Sequence, residues 1–281
     1  MYDKILNIGC GNRFHQDHIN LDLNSIHPCV KAHNIIKGLP FPNFCFDAVY
    51  HSHFLEHLTK NGAEFILKEC HRVLKKGGIL RVVVPDLEQK SALYLDSLRR
   101  CAQQDDGAWE DHEWMIMEII DQFVRIQTGG EMKIFIETRN IAENEFILNR
   151  LGIEYENFKK AANLSKTFLS RLRGKSAHYI TKKIYEKLSI RITGFLAFLL
   201  LGSRGLESWK IGWFKTSGEM HQWMYDRVSL TRLVIKSGFK NPIIVDHTTS
   251  QIDNWQLFQL DVNHDGSPYK PDSFYLEAQK S

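Results

Sequence analysis

Two groups of residues in this 281-residue chain have the types and spacing to do chemistry. The first is Gly9-Cys10-Gly11, separated by ten residues from Asp22 at the end of a short apolar run. Glycines let a ligand lie against bare backbone, and a carboxylate closing a strand accepts hydrogen bonds from two ribose hydroxyls. Together they outline a nucleoside site. A dinucleotide fingerprint needs a third glycine where Phe14 stands, and a P-loop needs Lys and Ser or Thr after Gly11, where neither stands. The turn therefore lacks what cradles a pyrophosphate, and a phosphate-free nucleoside fits better. A plain βα turn could carry the same residues, so the rest of the chain must decide.

The second group is His51-Ser52-His53, Glu56-His57 and, far downstream, His221. His53, Glu56 and His57 are spaced i, i+3, i+4, which puts them on one face if the segment is helical. Imidazole titrates near neutral pH and can take the proton of an attacking hydroxyl, which makes His53, His57 and His221 the candidate bases. Taken alone, each fits a packed or solvated histidine better than a base. The HxxEH string also matches the inverted zinc-peptidase motif, but here it follows a strand of nucleotide-binding type.

These groups need strands to hold them. Residues 4–8, 18–22, 30–36, 45–50, 79–84, 242–247 and 273–278 read as seven strands. Residues 62–76 are an amphipathic helix that Lys75-Lys76-Gly77-Gly78 should stop, 87–105 look helical, and Asp226 should cap a helix over 227–237. Strands alternating with helices imply a mostly parallel sheet with right-handed crossovers, whose ligands sit at the carboxyl ends of the strands. Gly9, Asp22, Asn34, His51 to His53 and Asp86 all fall at such ends. Residues 106–218 break the rhythm and read as a mainly helical insertion, a lid or acceptor region. The core is then 1–105 and 219–281, a Rossmann-like α/β fold of seven strands flanked by helices.

The bulk numbers set limits. An apolar fraction of 43% and a charged fraction of 25% suit a soluble globular chain of one large domain or one domain with an elaboration. Five cysteines with no CxxC pair point to reduced thiols and a cytoplasmic setting. The N-terminus enters a strand at once, so no signal peptide is expected. The longest apolar run, 195–201, falls far short of the roughly 20 residues that span a bilayer. The net charge of +3 hides an asymmetry, because residues 157–193 hold seven Lys and three Arg against Glu186 alone. This basic stretch and the apolar run after it, 157–201 together, have the composition of a peripheral membrane element, or of a solvated cationic face beside a core helix. Trp223-Met224-Tyr225 reads as an aromatic pocket wall or as core. No DNA-methylating Asp/Asn-Pro-Pro-Tyr signature and no RNA-binding motif occurs, so nucleic acid is not expected as a partner.

The segments LNIGCG, INLDL, LPFPNFCFDAVYHSHFLEHL, KECHRVLKKGGILRVVVPDL, HQWMYDRVSLTRLVIKSGF and FYLEAQK occur in this order. With them the chain resembles the class I S-adenosylmethionine-dependent methyltransferases, in particular the small ones of polysaccharide and secondary-metabolite gene clusters. The resemblance covers about half the chain. It implies that Gly9, Cys10 and Gly11 line the methionine end and ribose of S-adenosylmethionine. By the same carry-over Asp22 holds the ribose hydroxyls, Leu23 packs on adenine, Asn34 meets the adenine amine, and His51 and Ser52 flank the sulfonium. Some sugar-directed relatives carry ExxEH with a divalent ion at this place. His53 replaces the first of those acids, and no metal is assigned. Two departures are a first helix shortened to a turn and an amide, Asn34, in place of an acid. The reading is methyl transfer to an oxygen, less favourably a nitrogen, of a small-molecule or saccharide acceptor. Its alternatives are an NAD-linked oxidoreductase and a catalytically degenerate binding protein.

Overall fold

The computed structural model describes residues 4–25, 27–163 and 177–281. Seven strands form one sheet: β1 (Ile5–Ile8), β2 (Ile19–Asp22), β3 (Val30–Ala32), β4 (Phe46–Ser52), β5 (Leu74–Pro85), β6 (Phe239–Val245) and β7 (Ser273–Lys280). Their order is β3-β2-β1-β4-β5-β7-β6. Strands β1 to β5 pair in parallel, and β7 runs antiparallel to both its neighbours. Every residue of β1 is buried, as is the 79–85 stretch of β5. Such unbroken apolar burial is what a parallel sheet covered on both faces demands.

Helices α1 (Lys60–Val73) and α8 (Arg227–Lys236) cover one face, with Ala63, Ile66, Leu67, Leu230 and Val234 in the main core. A capping box at Asp226 and Ser229 starts α8, as expected. On the other face the long 246–272 connection lays Ile252, Trp255 and Leu260 against Tyr50, Val83 and Tyr275. It also brings Asp261 to Arg81. The Arg81 guanidinium donates to Asp261 Oδ2 and Glu277 Oε1, each at 2.7 Å, and Asp261 also accepts from Tyr50 Oη and Trp255 Nε1.

Several boundaries differ from the sequence reading. Strand β3 ends at Ala32, and a 3-10 turn, Ile35–Lys37, replaces its second half. Helix α1 stops at Val73, before the Lys-Lys-Gly-Gly run, because Leu74 is buried opposite Phe46 and already belongs to β5. The glycines serve a bulge, where pairing jumps from Phe46–Leu74 to Ala48–Ile79. A side chain on Gly78 would lie 2.9 Å from the Asp47 carbonyl. Strand β6 begins at Phe239 rather than Pro242, and a register shift between Lys240 and Ile243 accommodates the proline at the sheet edge.

From α2 (Leu87–Ala102) onward the insertion is helical: α3 (Ala108–Val124), α4 (Gly130–Thr138), α5 (Glu145–Leu151), α6 (Ile153–Asn163) and α7 (Ala177–Lys215). Among the described residues no strand lies between β5 and β6. Trp114, Met115, Phe135, Ile141, Ile147 and Leu151 give the insertion a core of its own. Part of the basic stretch, residues 164–176, lies outside the described residues.

Candidate active site

The turn after β1 is shaped by two left-handed glycines, Gly9 at φ 63 and Gly11 at φ 50. The Gly9 and Cys10 amides donate to the Leu21 carbonyl and tie the turn to β2. Gly9 lies under the Phe54 ring, where a Cβ would stand 2.7 Å from Cδ2. Gly11 differs, since no atom lies within 4 Å of where its Cβ would be. That space opens beside Asp22, whose Oδ2 accepts from the Gly11 amide at 2.9 Å and Oδ1 from the Asn24 amide at 3.3 Å. A carboxylate has about four acceptor sites, so half remain for a diol.

A cavity of about 560 Å³ runs from Gly9, Asp22, Leu23 and Asn34 past Phe54 to His53, His57, Gly218 and Gln222. That size suits a small-molecule cofactor. Asn34 starts the 3-10 turn without capping it, which leaves its amide free of that bond. Cys10 is buried behind the turn, its thiol pushed up to about 12 by burial and by the Asp22 charge. His51 and Ser52, expected beside the sulfonium, do not line the cavity. His51 is wholly buried in β4 with no hydrogen-bond partner on either ring nitrogen, and burial pushes it down to about 3. The physical reason is the backbone at His53, which turns to φ 48 and sends His53 and Phe54 to the cavity in their place.

A second cavity, about 370 Å³, is lined by His53, His57 and His221 together with Trp114, Glu118, Arg125, Arg150, Glu154, Lys270 and Asp272. The two cavities share His53, His57 and Gly218. All three candidate bases thus gather at one junction. His53 Nε2 lies 2.6 Å from Ser273 Oγ, and burial pushes its ring down to about 3. His57 Nδ1 lies 3.2 Å from the Met220 carbonyl, which can only accept, so Nδ1 carries the proton and Nε2 is left bare. Burial lowers His57 and takes His221 down to about 2, so both rings are neutral at pH 7. The His57 and His221 rings meet edge to face at 4.8 Å.

Glu56 does not share a helix face with them. It sits in a 3-10 turn, Leu55–His57, whose Glu56 carbonyl accepts from the Gln222 and Trp223 amides. Its carboxyl is fully buried and makes no hydrogen bond, although Oε1 lies 3.4 Å from His53 Nδ1, and burial pushes it up to about 8, which keeps it protonated at neutral pH. Glu56, His57 and His221 place one donor atom each within 4.8 Å of one another. That is the set a divalent cation would use, in place of the sequence-adjacent His53, Glu56 and His57. Binding there has first to expel the Glu56 proton.

Most charges around the second cavity pair off, but Arg125 donates only to the Glu219 carbonyl and keeps a bare Nε. Arg150 bonds Glu118, Lys270 bonds Glu154, and Lys90 lies 2.8 Å from Asp272. Burial pushes Asp272 up, but Lys90, His53 and Lys270 outweigh it and hold the carboxyl far below its ordinary value. None of these pairs was legible in the sequence, because α2, α3, α5, α6 and the approach to β7 supply them separately. Of the two readings of Trp223-Met224-Tyr225, core holds for Met224 and Tyr225, while Trp223 lies under Lys60 Nζ at 3.6 Å and Trp114 lines the cavity.

Residues 23–82 match the family model described as a methyltransferase domain. Strand β7 lies antiparallel between β5 and β6, and the glycine turn faces Asp22. Over the matched residues, which include Leu23, β3, β4 and α1, the chain is similar to methyltransferase domains. Among solved structures, a methyltransferase of Thermotoga maritima titled a possible histamine N-methyltransferase overlays with 12% identity over 99% of this chain and 82% of that one, at TM-score 0.38. An Archaeoglobus fulgidus methyltransferase gives 11%, 99%, 86% and 0.38. The cyclase SpnF gives 20% identity over 29% of this chain and 38% of that one, at TM-score 0.25, so the match spans well under half of that protein's length. No curated protein matches the sequence.

Proposed function

We propose that this protein moves a methyl group onto a hydroxyl oxygen of a neutral, polyhydroxylated small molecule or saccharide. The observation that carries this is the junction of the two cavities at His53 and His57. The Gly11 side of the first cavity and the spare lone pairs of Asp22 fit a ribose diol, and Asn34 and Leu23 lie where adenine would follow. S-adenosylmethionine, when bound, supplies a methyl carbon made electrophilic by its sulfonium.

The remaining chemistry belongs to the chain. His57 Nε2, bare because Nδ1 donates to Met220, is placed to take the proton of an acceptor hydroxyl as the oxygen attacks. Burial keeps the imidazole unprotonated at neutral pH, which favours readiness over basicity. The ion pairs of the second cavity, together with the Arg125 guanidinium, whose Nε has no partner, offer donors and acceptors suited to several hydroxyls. Burial of the junction excludes water, and a dry site favours a reaction in which a cation loses its charge.

The test is differential. S-adenosylhomocysteine raises the melting temperature and NAD leaves it unchanged. Radiolabelled methyl then passes from cofactor to neutral glycosides or polyols. A shift with NAD alone restores the oxidoreductase reading, and labelling confined to amines moves the acceptor atom to nitrogen.

A further inference from the structure

We infer that α7 is a helical hairpin that docks this protein on an anionic lipid surface by its tip. The inference stands apart from the proposed acceptor. Helix α7 contains a stretch, Leu188–Lys215, long and apolar enough to cross a membrane by length and composition, yet only 11% of its most apolar window is buried. It is not straight. Gly202 stands at φ 68 and ψ −157 and breaks the helix into two arms. The arms fold back on each other: the Trp209 ring lies 3.2 Å from where a Gly194 Cβ would be, and a Cβ on Gly205 would strike Leu201.

The break rules out a span. At 1.5 Å per residue the apolar part of the first arm, 188–201, is roughly 20 Å long, and so is the whole of the second arm, 203–215, which carries Arg204, Glu207 and Lys210, against about 30 Å for the hydrocarbon core of a bilayer. What the fold builds instead is a blunt apolar tip. Leu199, Leu200 and Leu201, at the turn, are 60%, 79% and 72% exposed. Soluble surfaces seldom leave a contiguous apolar patch of this kind uncovered.

Charge says which surface covers it. No charged residue occurs from 192 to 203, and Arg191 and Arg204 bracket that interval on the two arms. In the sequence before Arg191, residues 157–190 hold seven Lys and two Arg against Glu186 alone. An apolar tip with a cationic collar matches the acyl boundary and headgroups of an anionic leaflet. Trp213, exposed and stacked on Trp209 with ring centroids 5.7 Å apart, has the amphipathic ring that settles at headgroup depth. The second arm leads directly into Lys215, Thr216, Ser217 and Gly218 of the cofactor cavity, so docking would tether the active site to the membrane.

The experiment uses the full chain with phosphatidylcholine vesicles, with and without 30% phosphatidylglycerol (about a third anionic, enough for basic segments to respond). The wild type sediments with the anionic vesicles. The triple variant L199S/L200S/L201S loses at least tenfold in bound fraction while its S-adenosylhomocysteine affinity stays unchanged. R191Q/R204Q weakens binding to anionic vesicles only. Should the triple variant fail to fold, brominated lipid in the wild-type experiment must still quench Trp213, read against W213F. A wild type that stays in the supernatant with both vesicle types overturns the inference. So does a dimer in sedimentation velocity that the triple variant dissociates while vesicles remain unbound.

Discussion

The sheet is flanked by two clusters of buried ionisable groups that differ in one respect, their partners. On one side Arg81 is enclosed by Asp261 and Glu277, with Tyr50, Trp255 and Ser250 filling the remaining acceptor positions. On the other side His51 and the Glu56 carboxyl are as deeply buried and have no hydrogen bond, and His221 keeps a bare Nδ1. A saturated cluster fixes a shape, here the long 246–272 connection against β4, β5 and β7. An unsaturated one holds neutral acids and bases at a stability cost of a few kcal/mol per group, which is tolerable where a reaction needs them.

This contrast can be broken in stages. The largest effect is expected from Arg81→Met, which leaves two carboxylates buried without a counter-charge and should cost about 3–5 kcal/mol of stability in urea unfolding. A loss below 1 kcal/mol would show that the saturated cluster is dispensable. His57→Ala should lower kcat by about 10²- to 10³-fold through loss of the base, with cofactor affinity and melting temperature close to wild type. A comparable fall in cofactor binding would instead make His57 part of the cofactor site. Asp22→Ala should weaken S-adenosylhomocysteine by about 10- to 100-fold in calorimetry, from two charge-assisted hydrogen bonds lost.

Glu56 gives a pH signature of opposite sign to the usual carboxylate. Its folded value is raised to about 8, so between roughly pH 4.5 and 8 the folded state binds the extra proton and stability falls as pH rises. Glu56→Gln should remove that slope, the gap to wild type growing by about 1.4 kcal/mol per pH unit between 5.5 and 7.5. The histidines act from the acid side. His51 and His53, lowered to about 3, contribute stability above pH 6.5 that is lost as pH falls towards 3. The smallest effect is expected from a chelator. With Glu56 protonated, EDTA should leave turnover unchanged, and restoration by zinc or magnesium after EDTA would reassign Glu56, His57 and His221 as metal ligands.

The cofactor half was readable because it is local. Gly9, Gly11 and Asp22 lie within fourteen residues of one another, and the turn chemistry that brings Gly11 to Asp22 is written in their types. The candidate histidines were named, but their arrangement was not. A helical spacing for His53, Glu56 and His57 gave way to a left-handed His53 followed by a 3-10 turn. The expected C-cap at Gly77-Gly78 was overridden by the burial of Leu74. In each case a local preference of about 1 kcal/mol met a tertiary contact that outweighed it.

Composition and spacing alone determined the parallel sheet, the phosphate-free glycine turn and the helical insertion, because strand periodicity, glycine freedom and the absence of a phosphate-binding signature act over a few residues. Only the tertiary structure decided that the His57 and His221 rings meet, that Met220 fixes the tautomer of His57, and that Arg150, Lys270 and Lys90 find their acids. Those outcomes depend on which distant segments share a dry interior, where an unpaired charge is too costly to leave and a carboxyl without a partner gives up its charge instead.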